Sequence, residues 1–285
     1  MKQSSIVVID LGGTKINVGL YRNGCIEKSF IQLFDASQGV QDSLLFIKAC
    51  IEQVLAEDTI AIAIGVPGIV DVKTGIVFGA VNIASWSQVS LKQDLQALLS
   101  LPVYVNNDVN CFVKGEHLKL RGEGIEDMVG LCLGTGLGSG LVLQNNLHTG
   151  VNGCAGEIGS FEYRKGVLED YCSGKFFTEH YQECGAVLAE KSRAGDELAL
   201  DAFRQFGLHL SVAVKHLLMI IDPQLIVIGG SVANSYDLFI ESVWKNLADF
   251  PYQNMVSKLT IEKSRDEHSA LLGAAHLYLE SLRDC

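Results

Sequence analysis

Residues 4–24, SSIVVIDLGGTKINVGLYRNG, and residues 128–146, MVGLCLGTGLGSGLVLQNN, carry one pattern twice. The first is a β-branched apolar run ending at Asp10, a glycine turn, a resumed extended run and then Asn23-Gly24, a strong signal for a tight hairpin. The second has an apolar run to Leu133, a glycine turn at 134–138, an apolar run to Leu143 and a closing turn at Asn145-Asn146. Each copy reads as strand, glycine turn, strand, tight turn, strand. The copies lie too far apart for a solenoid repeat, so they read as a duplicated domain.

Between the copies, QDSLLFIKACIEQVLAE has helical apolar spacing, IAIAIGVPG and VYVNND read as buried strands with polar ends, and Val109 to Leu120 is predicted helical. After the second copy, ELALDAFRQFGLHLSVAVKHLLMIID reads as a long amphipathic helix stopped at Asp222-Pro223, followed by the strand LIVIGG and a last helix in DEHSALLGAAHLYLESLR. Strand and helix alternate, which implies α/β sheets with covered faces. The expected division is an N-terminal α/β domain over 1–115, with the terminal segment 266–285 packing back on it, and a C-terminal α/β domain over 116–265. With no low-complexity tract or Pro-rich linker, the boundary should be a tight hinge between about 110 and 125.

The chain has 285 residues, 48% of them hydrophobic and 19% charged, which supports a sizeable core and excludes a disordered class. Its net charge of -11 is spread without an acidic tail or basic block, so no surface suits nucleic acid. A phosphate site on such a chain must be built locally from backbone amides, a lysine or a bound cation. The eight cysteines form no C-x-x-C pair and read as reduced thiols. The best apolar run, IAIAIGVPGIV, is broken by Pro67, and Asp10 interrupts the first one, so neither a membrane span nor a secretory leader is expected and the chain reads as cytoplasmic.

DLGGTK, Asp10 to Lys15, sets an acid at a strand end, then glycines whose amides can approach an anion, then a hydroxyl and a cation. Those are parts for a phosphate held with Mg²⁺, the carboxylate facing the metal; a plain hairpin with a capping threonine fits the same letters. LGTGLGSG fails as a dinucleotide fingerprint, because Ser139 stands where the third glycine belongs and a strand, not a helix, follows. No Walker A loop occurs. NND at 106–108 ends a buried strand with a carboxylate placed to act as general base, while the helix beginning at Val109 equally suits Asp108 as its N-cap.

Taken in order, DLGGTK, GVPGIVD at 65–71, NND with Asn110, LGTGLGSG, GEIG at 156–159 and VIGGS at 227–231 resemble the ROK family of sugar kinases and repressors over essentially the whole chain. The resemblance implies an actin-like ATPase (ribonuclease H-like) fold, two similar α/β domains around a cleft, ATP and Mg²⁺ as cofactors, a hexose phosphorylated at O6, and a homodimer. It implies Asp108 as the base and Asp10 as organiser of Mg²⁺ through water. Gly12, Gly13, Thr14 and Lys15, with Thr135, Gly136 and Gly138, are implied to hold phosphates, and Gly229 and Gly230 to receive adenosine. Gly68, Asn82, Asn107, Glu157 and Glu169 are implied to contact the sugar.

The chain departs from the family in one region. Ser160 stands where a histidine commonly follows GEIG, and only Cys172 precedes Ser173-Gly174 where a cysteine-rich zinc segment is common. No zinc site is therefore expected, and either Ser160 contacts the sugar in the histidine's place or that side is left to Tyr163 or Arg164. A substitute site from Cys172, His180 and Cys184 is the weaker reading. A family repressor needs a helix-turn-helix ahead of a first strand that begins here near Ser5; a catalytically inactive sugar-binding protein remains the alternative to a kinase.

Overall fold

The computed structural model describes residues 4–80, 82–120 and 122–283. Cys285, at the end of the segment expected to pack back, lies outside the described residues. The chain forms two compact units, one of Met1–Arg121, Leu147–Ala155 and Asp266–Cys285, the other of Gly122–Asn146 and Gly156–Arg265. The division falls at 121/122 rather than 115/116 because the helix Asp108–Lys119 runs unbroken through position 115.

In the first unit the strand Ser5–Leu11 pairs antiparallel with Lys15–Arg22, which pairs antiparallel with Cys25–Leu33, and parallel with Thr59–Val66, which pairs parallel with Val103–Asn107. The Asn23-Gly24 turn has φ of 55° and 86°, the left-handed pair that a two-residue hairpin needs. Alternation along the first strand sends Val7, Ile9 and Leu11 into one core with Ile47 and Ile51 of the helix Val40–Val54 and Leu91 and Leu95 of the helix Leu91–Leu99. Ile6 and Val8 face the other way, onto Cys111 of the helix Asp108–Lys119 and Leu271, Ala274 and Ala275 of the helix Ser269–Ser281. The period of two thus builds a sheet covered on both faces.

The second unit repeats the order. Met128–Leu133 pairs antiparallel with Leu137–Leu143 and parallel with Leu225–Gly229, which pairs parallel with Thr260–Lys263. Its tight turn is Gln144-Asn145, with φ of 51° and 65°, one residue earlier than the two asparagines suggest; Asn146 already opens the strand Asn146–His148. The long helix runs Glu197–Ile220, capped by Asp196, whose side chain accepts from the Ala199 N–H at 2.8 Å. It ends just before Asp222, at φ 52°, and Pro223. Among the described residues no helix is long and apolar enough to cross a membrane.

Candidate active site

In the first unit the parallel register aligns Asp10 with Gly65 and Gly65 with Asn106, so three neighbouring strands end together. The mouth of a parallel sheet at the carboxyl ends of its strands is where α/β folds bind ligands. Asp10 is half-buried, and burial pushes its carboxyl up to about 6, against the opposing pull of Lys15. Directly across the hairpin from Asp10 sits Asn17, whose Oδ1 is buried without a hydrogen-bond partner. A carboxylate that burial drives toward protonation, beside an orphaned acceptor, fits a hydrated divalent cation, which would restore the charge and donate from its waters. Sequence reasoning missed Asn17, one polar residue inside the extended run that follows the glycine turn.

Asn107, not Asp108, caps the helix Asp108–Lys119: its side chain accepts from the Asn110 N–H at 3.0 Å and donates to the Gly68 carbonyl at 3.0 Å. Both polar atoms of Asn107 are thus engaged within the protein. Asp108 is the first helical residue, half-buried, with Oδ1 accepting from the Val109 N–H at 2.9 Å. Behind it, Asn106 accepts from the Asn107 N–H and from Asn110, and donates to the Tyr104 hydroxyl at 3.0 Å. Gly68 has φ 100°, and a Cβ there would lie 2.8 Å from the Phe78 carbonyl, so the position requires glycine. A Cβ on Gly13 would lie 2.4 Å from that of Asn82, which brings Asn82 against the DLGGTK turn. Cys111, a turn beyond Asp108, has its thiol held well above the ordinary range by burial and then by the Asp10 and Asp108 carboxylates, and stays a packing residue.

The second unit assembles its own set. The turn Gly134, Thr135, Gly136 is closed by Gly134 N–H donating to the Gly136 carbonyl at 3.0 Å. Gly230, at φ 85°, would place a Cβ 2.4 Å from the Leu133 carbonyl, so glycine alone lets the loop from Gly229 to Gly230 lie over the strand that leads into this turn. The GEIG stretch lies along the strand leaving the turn: Ser139 Oγ donates to the Gly156 carbonyl, and a Cβ on Gly159 would lie 2.3 Å from the Leu137 carbonyl. Glu157 within this stretch and Ser160 just after it have exposed surface, and partial desolvation and then the Glu169 charge raise the Glu157 carboxyl above its usual range. Glu169 accepts from the Leu137 N–H at 3.1 Å and pairs with Lys175, a residue the sequence reading passed over.

Where the resemblance made a zinc segment conspicuous by its lack, the structure has a short hairpin, Glu162–Tyr163 paired with Gly166–Val167. Its Tyr163 hydroxyl meets His209 Nδ1 at 3.1 Å, Tyr171 stacks edge-on to Tyr163, and Arg164 lies over both tyrosine rings. His180 packs on Tyr171 and Phe176, while Cys172 is buried and Cys184 exposed; among the described residues no group of three or more His, Cys, Asp or Glu assembles as a metal site. Burial, then Arg164 and His180, depress His209 to about 4. The folded protein therefore rejects a proton that the unfolded chain takes up below about 6.5. Stability should fall as pH drops from about 6.5 to 4, by about 2 kcal/mol once solvent screening is allowed for. His209→Gln keeps a partner for Tyr163 and should flatten that slope in urea midpoints compared at pH 7 and pH 4.5.

Comparison with known proteins meets this geometry. The model of the ROK family matches residues 6–281. A glucokinase of Halalkalibacterium halodurans is 30% identical over 278 residues, covering 83% of each chain. An N-acetyl-D-glucosamine kinase of Pasteurella multocida is 26% identical, covering 95% of this chain and 98% of the other. A ROK family glucokinase from Streptomyces griseus, solved in complex with glucose and AMPPNP, superposes with a TM-score of 0.79 at 25% identity, covering 96% of this chain and 98% of that one. The fold is that of the actin-like ATPases.

Proposed function

The chain belongs to the ROK family, and from that premise we propose that it is an ATP-dependent sugar kinase that transfers the γ-phosphoryl group to a hexose hydroxyl, O6 by preference. The observation that carries this reading is the placement of Asp108 immediately after a strand end in register with Asp10, on a helix whose cap is supplied by its neighbour. Phosphoryl transfer needs little covalent help, so alignment and one proton acceptor suffice. In this reading Asp108 takes the proton from the sugar hydroxyl as it attacks. Asn107 fixes Asp108 and the Gly68 turn together, and Asn82, Glu157, Ser160 and Glu169 contribute to gripping the sugar. Gly12, Gly13, Thr14, Lys15, Thr135, Gly136 and Gly138 serve the phosphates, and Gly229 and Gly230 the adenosine.

Asp10, with Asn17 beside it, would hold Mg²⁺ through water, and the cation would neutralise charge on the transferring phosphoryl group. Because proton and cation compete for one carboxylate, activity should fall as pH drops through about 6, and raising Mg²⁺ should move that limb to lower pH. A limb that stays fixed across Mg²⁺ concentrations would place the titration elsewhere.

The decisive assay is coupled ADP release over glucose, fructose, mannose and N-acetylhexosamines, with a no-sugar control. Sugar-dependent turnover on at least one member is the expected result. Binding of a hexose with no sugar-dependent ADP release would instead identify a sensor.

A further inference from the structure

The two glycine turns are copies, but they are not equipped alike. Between the paired residues Leu11 and Ile16 the first turn holds four residues, Gly12, Gly13, Thr14 and Lys15; between the paired Leu133 and Leu137 the second holds three, Gly134, Thr135 and Gly136. The residue lost is the cation. With the Gly134 N–H given to the Gly136 carbonyl, the amides of Thr135 and Gly136 and one hydroxyl make a weak seat for a polyanion on a chain of net charge -11.

A different segment brings a cation to the shorter turn. Ser173, fully buried, accepts from the Lys175 N–H at 3.2 Å and opens the helix Gly174–Tyr181. Gly174 N–H donates to the Gly134 carbonyl at 2.7 Å, which pins this segment to the start of the turn. At its other end Glu169 accepts from the Leu137 N–H, and the same Oε2 would lie 2.5 Å from a Cβ on Gly136, so the carboxylate rests against the turn itself. Glu169 Oε1 holds Lys175 Nζ. The ammonium is therefore parked, half-exposed, one carboxylate away from the turn's amides.

We propose that Lys175 is the phosphate-binding cation of the second glycine turn, held by Glu169 until the phosphate chain of a nucleoside triphosphate binds. This deepens the kinase reading and rests on it for the identity of the ligand. Glu169 then has a duty toward the turn besides any toward the sugar: it fixes the Leu137 amide and stores the lysine. A lysine on a flexible stem can exchange one anionic partner for another by rotamer change alone, which a backbone amide cannot.

The test is equilibrium binding of AMPPNP with Mg²⁺ by calorimetry, beside adenosine, for the wild type, Lys175→Met, Lys175→Arg and Lys191→Met. Lys191, paired with Glu183 on the same unit, controls for loss of one surface ion pair. Lys175→Met should weaken AMPPNP about tenfold or more. Adenosine binding should not change in that variant, and Lys175→Arg should recover most of the loss. If Lys175→Met binds AMPPNP like the wild type, or loses adenosine equally, the assignment is wrong although the kinase reading stands. If the wild type binds no AMPPNP, both fall.

Discussion

Asp108→Asn should lower kcat for sugar-dependent ADP release by about 10²–10⁴-fold, the range that one positioned general base contributes. The sugar KM should stay within a few fold. The substitution removes the proton acceptor but keeps the size of the side chain, and its amide oxygen can still accept from the Val109 N–H, as Oδ1 does in the wild type. The helix start does not depend on the change, because Asn107 makes the cap and remains. A fold-level explanation for lost activity is thereby removed in advance, and an unchanged unfolding midpoint would confirm it. Asn107→Ala makes the informative contrast. It withdraws both the cap and the tie to Gly68, so stability should fall by about 1 kcal/mol and activity with it. Full turnover by Asp108→Asn would refute the assigned base.

The sequence exposed most of this architecture because its signals are local. Alternation in SIVVID, the left-handed pair Asn23-Gly24 and the stop at Asp222-Pro223 each act within a few residues, and each element formed where those letters put it. The duplicated hairpin was legible as a repeat and reappears as one strand order in both sheets. What stayed hidden depends on pairs distant in the chain. The capping preference of NND suits Asn107 and Asp108 alike, and the bond from Asn107 to Gly68, 39 positions away, favours Asn107. Glu169 read as a sugar ligand from its motif, and nothing near it in sequence announces that it accepts from Leu137, 32 positions earlier. His209 lies within an apolar helix, and its partner Tyr163 and the ring cluster around it form only when hairpin and helix meet.

Gly273→Ala should destabilise the protein by about 3 kcal/mol, at the upper end of what overpacking costs, although it adds one methyl group to a helix that alanine ordinarily favours. The reason is backbone on backbone. A Cβ on Gly273 would lie 1.7 Å from the Cys111 carbonyl oxygen, and one on Gly115 would lie 1.8 Å from the Ser269 carbonyl oxygen, so the helices Asp108–Lys119 and Ser269–Ser281 touch main chain to main chain at both points. No rotamer change relieves such a clash; the helices must separate. Their seam is otherwise well fastened, by Lys114 with Glu280 at 2.7 Å and by Lys119 with Asp266 at 3.0 Å. Part of the strain would therefore pass into the helix carrying Cys111, and Asp108 lies one turn before it. With Asp108 as the proposed base, loss of kcat should accompany the loss of stability even at temperatures where the variant is fully folded, because a small misplacement of such a group is costly. Urea unfolding with assays well below the midpoint measures both. Unchanged stability would show that the helices can part freely, and reduced stability with unchanged kcat would show that the position of Asp108 is set by the sheet rather than by the seam.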